Sequence, residues 1–231
     1  MPARSRPQVI VAWSSGKDSA WALYQLLKTN EVDVIGLMTA FNSEFDRVAM
    51  HSVRRDLVEK QASKLHLPLY KVDLPWPCCN EDYETNTKRT LESLHHEQGA
   101  THLACGDLFL TDVRSYREKL LQDTHVKPLF PIWGKATAPL AKHMVDDGLR
   151  AIITCVDPKQ LNPSFAARTF DAQFLADLPK TVDPCGENGE FHSFVYSGPM
   201  FESTIEIQAG EIVERDGFVF ADVLPQVSPL L

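Results

Sequence analysis

Between an apolar run, Val9-Ile10-Val11-Ala12-Trp13, and an amphipathic stretch carrying Ala20, Leu23, Tyr24 and Leu27 lies the hexapeptide Ser14-Ser15-Gly16-Lys17-Asp18-Ser19. The first run reads as a buried strand, and the second, with its i, i+3, i+4, i+7 spacing, as a helix. A small, polar strand-to-helix turn of this kind is the place in an open α/β sheet where ligands bind. Its successive N–H groups and the helix N-terminus favour a pyrophosphate. Ser14, Ser15 and Ser19 add hydroxyl donors, Lys17 is suited to neutralise phosphate charge, and Asp18 to hold a magnesium ion or cap the helix. The alternative is a polar turn with an N-cap and no ligand. Neither G-x-x-x-x-G-K-[ST] nor G-x-G-x-x-G can be placed here, which sets aside P-loop kinases and dinucleotide folds.

The alternation continues down the chain. Strands are expected at Val32–Met38, Leu67–Leu74, His102–Cys105 and Ala151–Val156, with helices between them, which predicts an α/β fold: a doubly wound, five-stranded parallel sheet. Phe170, Phe174 and Leu178 are expected on one face of a last helix. Asp216-Gly217, between Glu211–Arg215 and Phe218–Val223, is a two-residue hairpin signal. The expected division is therefore an α/β domain that carries this phosphate-suited loop over 1–157 and a small C-terminal α+β subdomain over 158–231. The apolar tail from Val223 to Leu231 is suited to pack on its own domain or on a second copy, as in a homodimer.

Composition narrows the partners. The net charge is -8, with no basic run, so the footprint of non-specific nucleic-acid binding is missing. No apolar run reaches the length of a membrane span, and a cytoplasmic location is expected. The five cysteines, Cys78, Cys79, Cys105, Cys155 and Cys185, form no C-x-x-C pair and read as free thiols. The histidines, His95-His96 included, show no H-x-x-x-H spacing, so no structural zinc is expected.

The loop resembles the S-G-G-x-D-S motif of the PP-loop ATP pyrophosphatases (adenine nucleotide alpha hydrolases of Rossmann-like, HUP type), with Ser15 where that motif has glycine. Three further stretches resemble the diphthine–ammonia ligase (diphthamide synthase) family: Gly106-Asp107 with Arg114 downstream, Pro131-Ile132-Trp133-Gly134, and Cys185-Gly186-Glu187-Asn188-Gly189-Glu190-Phe191 leading to Gly198-Pro199-Met200-Phe201. Asn188 stands where glycine is usual, His192 where an acidic residue is usual, and Ser197 where aspartate is usual. The resemblance implies an ATP- and Mg2+-dependent carbon–nitrogen ligase that adenylates a carboxylate, releasing pyrophosphate and then AMP, and amidates it with ammonium. In the family the carboxylate belongs to diphthine on elongation factor two.

Under that reading Ser14, Ser15, Gly16, Lys17, Asp18 and Ser19 bind the nucleotide phosphates together with Gly106, Asp107 and Arg114. Arg114 and Arg117, at i, i+3, can present two guanidiniums to an anion or simply face solvent. Lys17, Asp18, Glu187 and Glu190 are the expected catalytic set, the two glutamates flanking a glycine-rich turn from which they reach the ammonium. Asp157, at a strand end, is suited to touch substrate or to cap the following turn. No glutaminase signature is present, so ammonia arrives free or from a partner. A nucleotide sensor without turnover and a tRNA-modifying PP-loop enzyme are the alternatives.

Overall fold

Val9, Ile10 and Val11 are completely buried, as expected of a strand covered on both faces. They sit in a computed structural model that describes residues 6–48 and 52–226. In chain order the elements are β1 (Gln8–Ala12), α1 (Lys17–Thr29), β2 (Asp33–Asn42), β3 (Arg47–Val48), α2 (Arg55–Lys64), β4 (Leu69–Leu74), α3 (Asn80–Gln98), β5 (His102–Ala104), α4 (Thr111–Leu121), β6 (Lys127–Leu129) and α5 (Thr137–Asp146). β7 (Arg150–Val156), β8 (Thr169–Phe170), α6 (Ala172–Asp177), β9 (Phe191–Ser197), β10 (Ile207–Arg215) and β11 (Phe218–Pro225) follow.

Two sheets form. The first is six-stranded and mostly parallel: β1 pairs with β2 on one edge and β5 on the other, β4 pairs with β2, β6 pairs with β5, and only β3 runs antiparallel. Period-2 alternation sorts its core. Val9 and Val11 pack with Leu23, Leu57 and Val58 of α1 and α2, whereas Ile10 packs with Leu91, Leu94 and Leu121 of α3 and α4. The second sheet is antiparallel, in the order β10-β11-β7-β8, with β9 also on β7.

Three expectations change. Ala151–Val156 is not a fifth parallel strand but the centre of the second sheet. A continuous apolar run is buried on both faces in either setting, so its pattern cannot choose between them. The parallel sheet instead gains β6, whose sequence Lys-Pro-Leu carries no strand signal and sits at an edge, where proline is tolerated. Phe170 lies in β8 rather than on the last helix, because Asp171 caps α6 by accepting from the Phe174 N–H at 2.8 Å. Among the described residues β7 pairs with β8, β9 and β11, all of which follow residue 157.

The hairpin forms between β10 and β11, with Asp216 at φ 53° and Gly217 at φ 80°, both in the left-handed region its tight turn demands. Of the apolar tail, Val223–Pro225 belongs to β11 and 227–231 lie outside the described residues. No helix among the described residues is long and apolar enough to cross a membrane.

Candidate active site

The two sheets meet at the hexapeptide loop. Val195 of β9 donates its N–H to the Ser15 carbonyl at 3.0 Å, and the Lys17 N–H reaches Ser193 Oγ at 3.3 Å. Ser15 occupies a left-handed conformation at φ 69° and is fully buried. For a non-glycine residue that conformation is costly unless the surroundings hold it. Gln61 does much of the holding. Its buried amide donates to the carbonyls of Ser15 at 3.0 Å and Val195 at 2.6 Å, and its Oε1 accepts from Trp13 Nε1 at 2.8 Å. Gln61 shares the apolar face of α2 with Val58 and Ala62, and a glutamine in that stripe is the sequence signal that marks it.

A cavity of about 230 Å³ opens beside this loop. Ser14, Gly16, Lys17, Asp18 and Ser19 line one side, Cys105, Gly106, Asp107 and Arg117 another, and Gly186, Glu187, Gly189, Phe191, His192 and Ser193 the third. Ser14 and Ser19 hydroxyls are 3.1 Å apart. Gly106 is required by close approach, because a β-carbon there would come within 2.8 Å of the Asp18–Ser19 backbone.

Lys17 is buried with its ammonium 2.8 Å from Asp18 Oδ2, hydrogen-bonded to the Cys185 carbonyl and 5.3 Å from the centre of the Phe191 ring. Burial opposes its charge, but Asp18, Cys185 and Glu187 outweigh burial and raise its pKa. The residue therefore ties the loop to the segment before β9.

Three buried atoms at the cavity have no hydrogen-bond partner: Asp18 Oδ1, Asp107 Oδ2 and Arg117 Nε. Asp107 and Arg117 stand 3.7 Å apart, paired in charge but not hydrogen-bonded, and Arg117 is fixed by a 3.0 Å bond to the Tyr83 hydroxyl. Burial raises the pKa of Asp107 against the pull of Arg117. Burial likewise raises that of Asp18 against the pull of Lys17. Buried polar atoms left without a hydrogen bond on residues that line one cavity are what a bound polar ligand could satisfy.

The two glutamates part company. Glu187 lines the cavity and accepts from the N–H groups of Leu108 at 2.8 Å and Phe109 at 3.3 Å through Oε1. Burial raises its pKa against those donors, with Asp18 adding to the rise. Glu190 is not among the lining residues. It is buried and accepts from the Asp183 N–H, the Asn188 N–H and the Asn188 amide at 2.9, 2.9 and 3.0 Å, organising the turn beneath the site.

Arg114 is also turned elsewhere: it pairs with Glu118 at 2.8 Å on the helix surface and lies over the Phe130 and Trp133 rings, each at 4.8 Å. Asp157 caps its own turn through Lys159 N and Gln160 Nε2. His192 and Ser193 reach the cavity from β9; the sequence marks His192 only as a departure from the family pattern and does not mark Ser193.

A mostly parallel α/β sheet with a phosphate-suited loop after its first strand, sharing a cavity with buried charged groups, defines a nucleotide-binding enzyme of the PP-loop type. Residues 7–128 match the family model described as the diphthamide synthase N-terminal domain, and residues 136–223 that of the diphthamide synthase C-terminal domain. The chain belongs to the diphthamide synthase family. Diphthine–ammonia ligase of Homo sapiens is 24% identical over 91% of this chain and 86% of its own length. The Bos taurus enzyme is 25% identical over 91% and 86%, and that of Danio rerio 25% over 94% and 92%.

Proposed function

We propose that the protein is an ATP-dependent carbon–nitrogen ligase that adenylates a substrate carboxylate, releases pyrophosphate, and lets ammonia displace AMP to leave an amide. The observation that carries this reading is that Asp18, Asp107 and Arg117, which each bury a polar atom without a hydrogen-bond partner, line the cavity beside the Ser14–Ser19 loop together with Lys17. The cavity is smaller than the ~300 Å³ at which sites enclosing whole drug-sized ligands begin. It suits the phosphate end of a nucleotide whose base lies outside.

A carboxylate resists ammonia because its leaving group would be oxide; an adenylate replaces that with AMP. The protein's contribution is position and charge. Arg117 and Lys17 face three carboxylates, Asp18, Asp107 and Glu187. A polyphosphate entering so acidic a space needs divalent cations. Asp18 and Asp107, each with a carboxylate oxygen that accepts no hydrogen bond, fit the role of holding Mg2+, which would supply charge neutralisation at the phosphates. Glu187, with its pKa raised and Oε2 unused by the loop, is the group that takes the ammonium proton. Glu190 supports it from behind as a positioning residue.

We assign the nucleotide to the loop-bearing sheet and the acyl substrate to the β7–β9 side, with a diphthine-like carboxylate on elongation factor two as the acceptor. Product analysis with labelled ATP, Mg2+ and ammonium tests this, with and without cell extract as acceptor source. AMP and pyrophosphate formed only with ammonium and extract support it. ADP and phosphate, or tight ATP binding with no AMP under any condition, overturn it in favour of another chemistry or a sensor.

A further inference from the structure

On the surface near the C-terminal end of α3, Glu92, His96 and the post-α4 residue His125 each direct a donor atom to one point. The three donors lie within 4.8 Å of one another. We propose that they form a binding site for a Zn2+ ion, separate from the phosphate cavity.

The arrangement is built before any ion arrives. Glu92 accepts from the His125 backbone N–H at 2.9 Å through Oε1, while its Oε2 meets His125 Nδ1 at 2.8 Å and His96 Nε2 at 3.8 Å. Glu92 and His96 share one helical turn at i, i+4, so both face the same way. His95, on the same turn, stacks on the His125 ring at 4.7 Å and 10° between planes, and its Nδ1 is bonded to the Ala100 carbonyl at 2.8 Å. One face of the His125 imidazole is thereby supported by a ring that is itself tethered.

Two imidazoles and one carboxylate are a donor set for a borderline divalent metal and reject Mg2+, which prefers oxygen and retains its water. Around one zinc ion the donors would sit about 3.3 Å apart, at ~2.0–2.2 Å from the metal. The exposed imidazoles of His96 and His125 close that difference by side-chain torsion around the half-buried Glu92. The fourth position stays open to water. Sequence spacing misses the set because its third member is 29 residues beyond His96 (125 minus 96) and joins through the tertiary fold.

The test titrates metal-free, full-length protein with Zn2+ alone by calorimetry. One ion per chain is expected, with no competition from a large excess of Mg2+. His96→Gln and His125→Gln should abolish uptake, and His95→Ala should weaken it about tenfold by freeing the ring it supports. Asp107→Asn, in the phosphate cavity, should leave it unchanged. Circular dichroism checks that the variants, all at surface positions apart from Asp107→Asn, remain folded. Uptake that survives both histidine substitutions, uptake lost with Asp107→Asn, or no uptake by the wild type at micromolar zinc overturns the site.

Discussion

Gly106 lies against the peptide joining Asp18 to Ser19, so closely that a β-carbon on it would stand 2.8 Å from Asp18 C and 2.8 Å from Ser19 N. Both contacts are backbone, in a loop and a helix start that cannot swing aside as a side chain could. Gly106→Ala should cost about 1–3 kcal/mol in stability by overpacking. It should also raise KM for ATP, because the loop must move to make room. Urea denaturation and initial-rate kinetics together check this; a variant with unchanged stability and KM would show that the loop yields freely.

Arg117 and Arg114, one helical turn apart, separate cleanly. Arg117 is at the cavity, its Nε 3.7 Å from Asp107 but without a hydrogen bond, and Arg114 is engaged with Glu118 and two aromatic rings. Arg117→Gln should lower AMP formation by about 10²–10³-fold, the scale on which a preorganised donor to developing phosphate charge acts. Arg114→Gln should leave turnover within about threefold, consistent with a surface ion pair. The reverse order would place the phosphates on the outer face of α4.

Glu187 and Glu190 should fail differently. Glu187→Gln keeps the shape and an acceptor for the Leu108 N–H but removes the proton acceptor, so kcat should fall by about 10²–10⁴-fold with little change in stability. Glu190→Ala leaves the donors of Asp183 and Asn188 unpaired in a buried turn and should cost about 3 kcal/mol. Thermal unfolding of both variants beside single-turnover rates distinguishes the roles. A stable but inactive Glu190→Ala would return that residue to the catalytic set.

How far such roles can be read from sequence depends on whether a signal is local. The hexapeptide loop, the helices and the Asp216-Gly217 hairpin follow from spacing and turn chemistry within a few residues. The sheet that holds Arg150–Val156 does not, because its partners lie 17 to 65 residues downstream in register pairs from Thr169 to Phe220 and nothing in so apolar a strand names them. The same limit explains the site. Asp107 and Glu187 were identifiable beside their glycines, whereas Gln61 and His192 reach the loop only through α2 and β9. Arg114 and Arg117 look alike in a helix, and Tyr83, contributed by α3, decides which one turns inward.

Acid should unfold the protein partly through His192. Burial, helped by the Lys17 charge, holds its pKa down to about 4, against an ordinary value of ~6.5. Between those values the unfolded chain binds the extra proton, so this contribution to stability is present above pH ~6.5 and is lost as pH falls toward the folded value. Asp18, Asp107 and Glu187 act with the opposite sign. Their raised folded values make the ligand-free protein hold protons longer than the unfolded chain does, and their contribution is lost as pH rises through the folded pKa of each. Two substitutions separate the limbs. His192→Asn should flatten the acid-side loss by about 2 kcal/mol, the greater part of the shift after discounting partial exposure. Asp107→Asn should raise neutral-pH stability of the ligand-free protein while suppressing AMP formation, because a buried carboxylate kept for a cation is a cost until that cation binds. Urea denaturation from about pH 4.5 to 7.5 measures both. If Asp107→Asn lowers stability instead, its ion pair with Arg117 outweighs the burial of its charge, and the case for a cation beside it weakens with it.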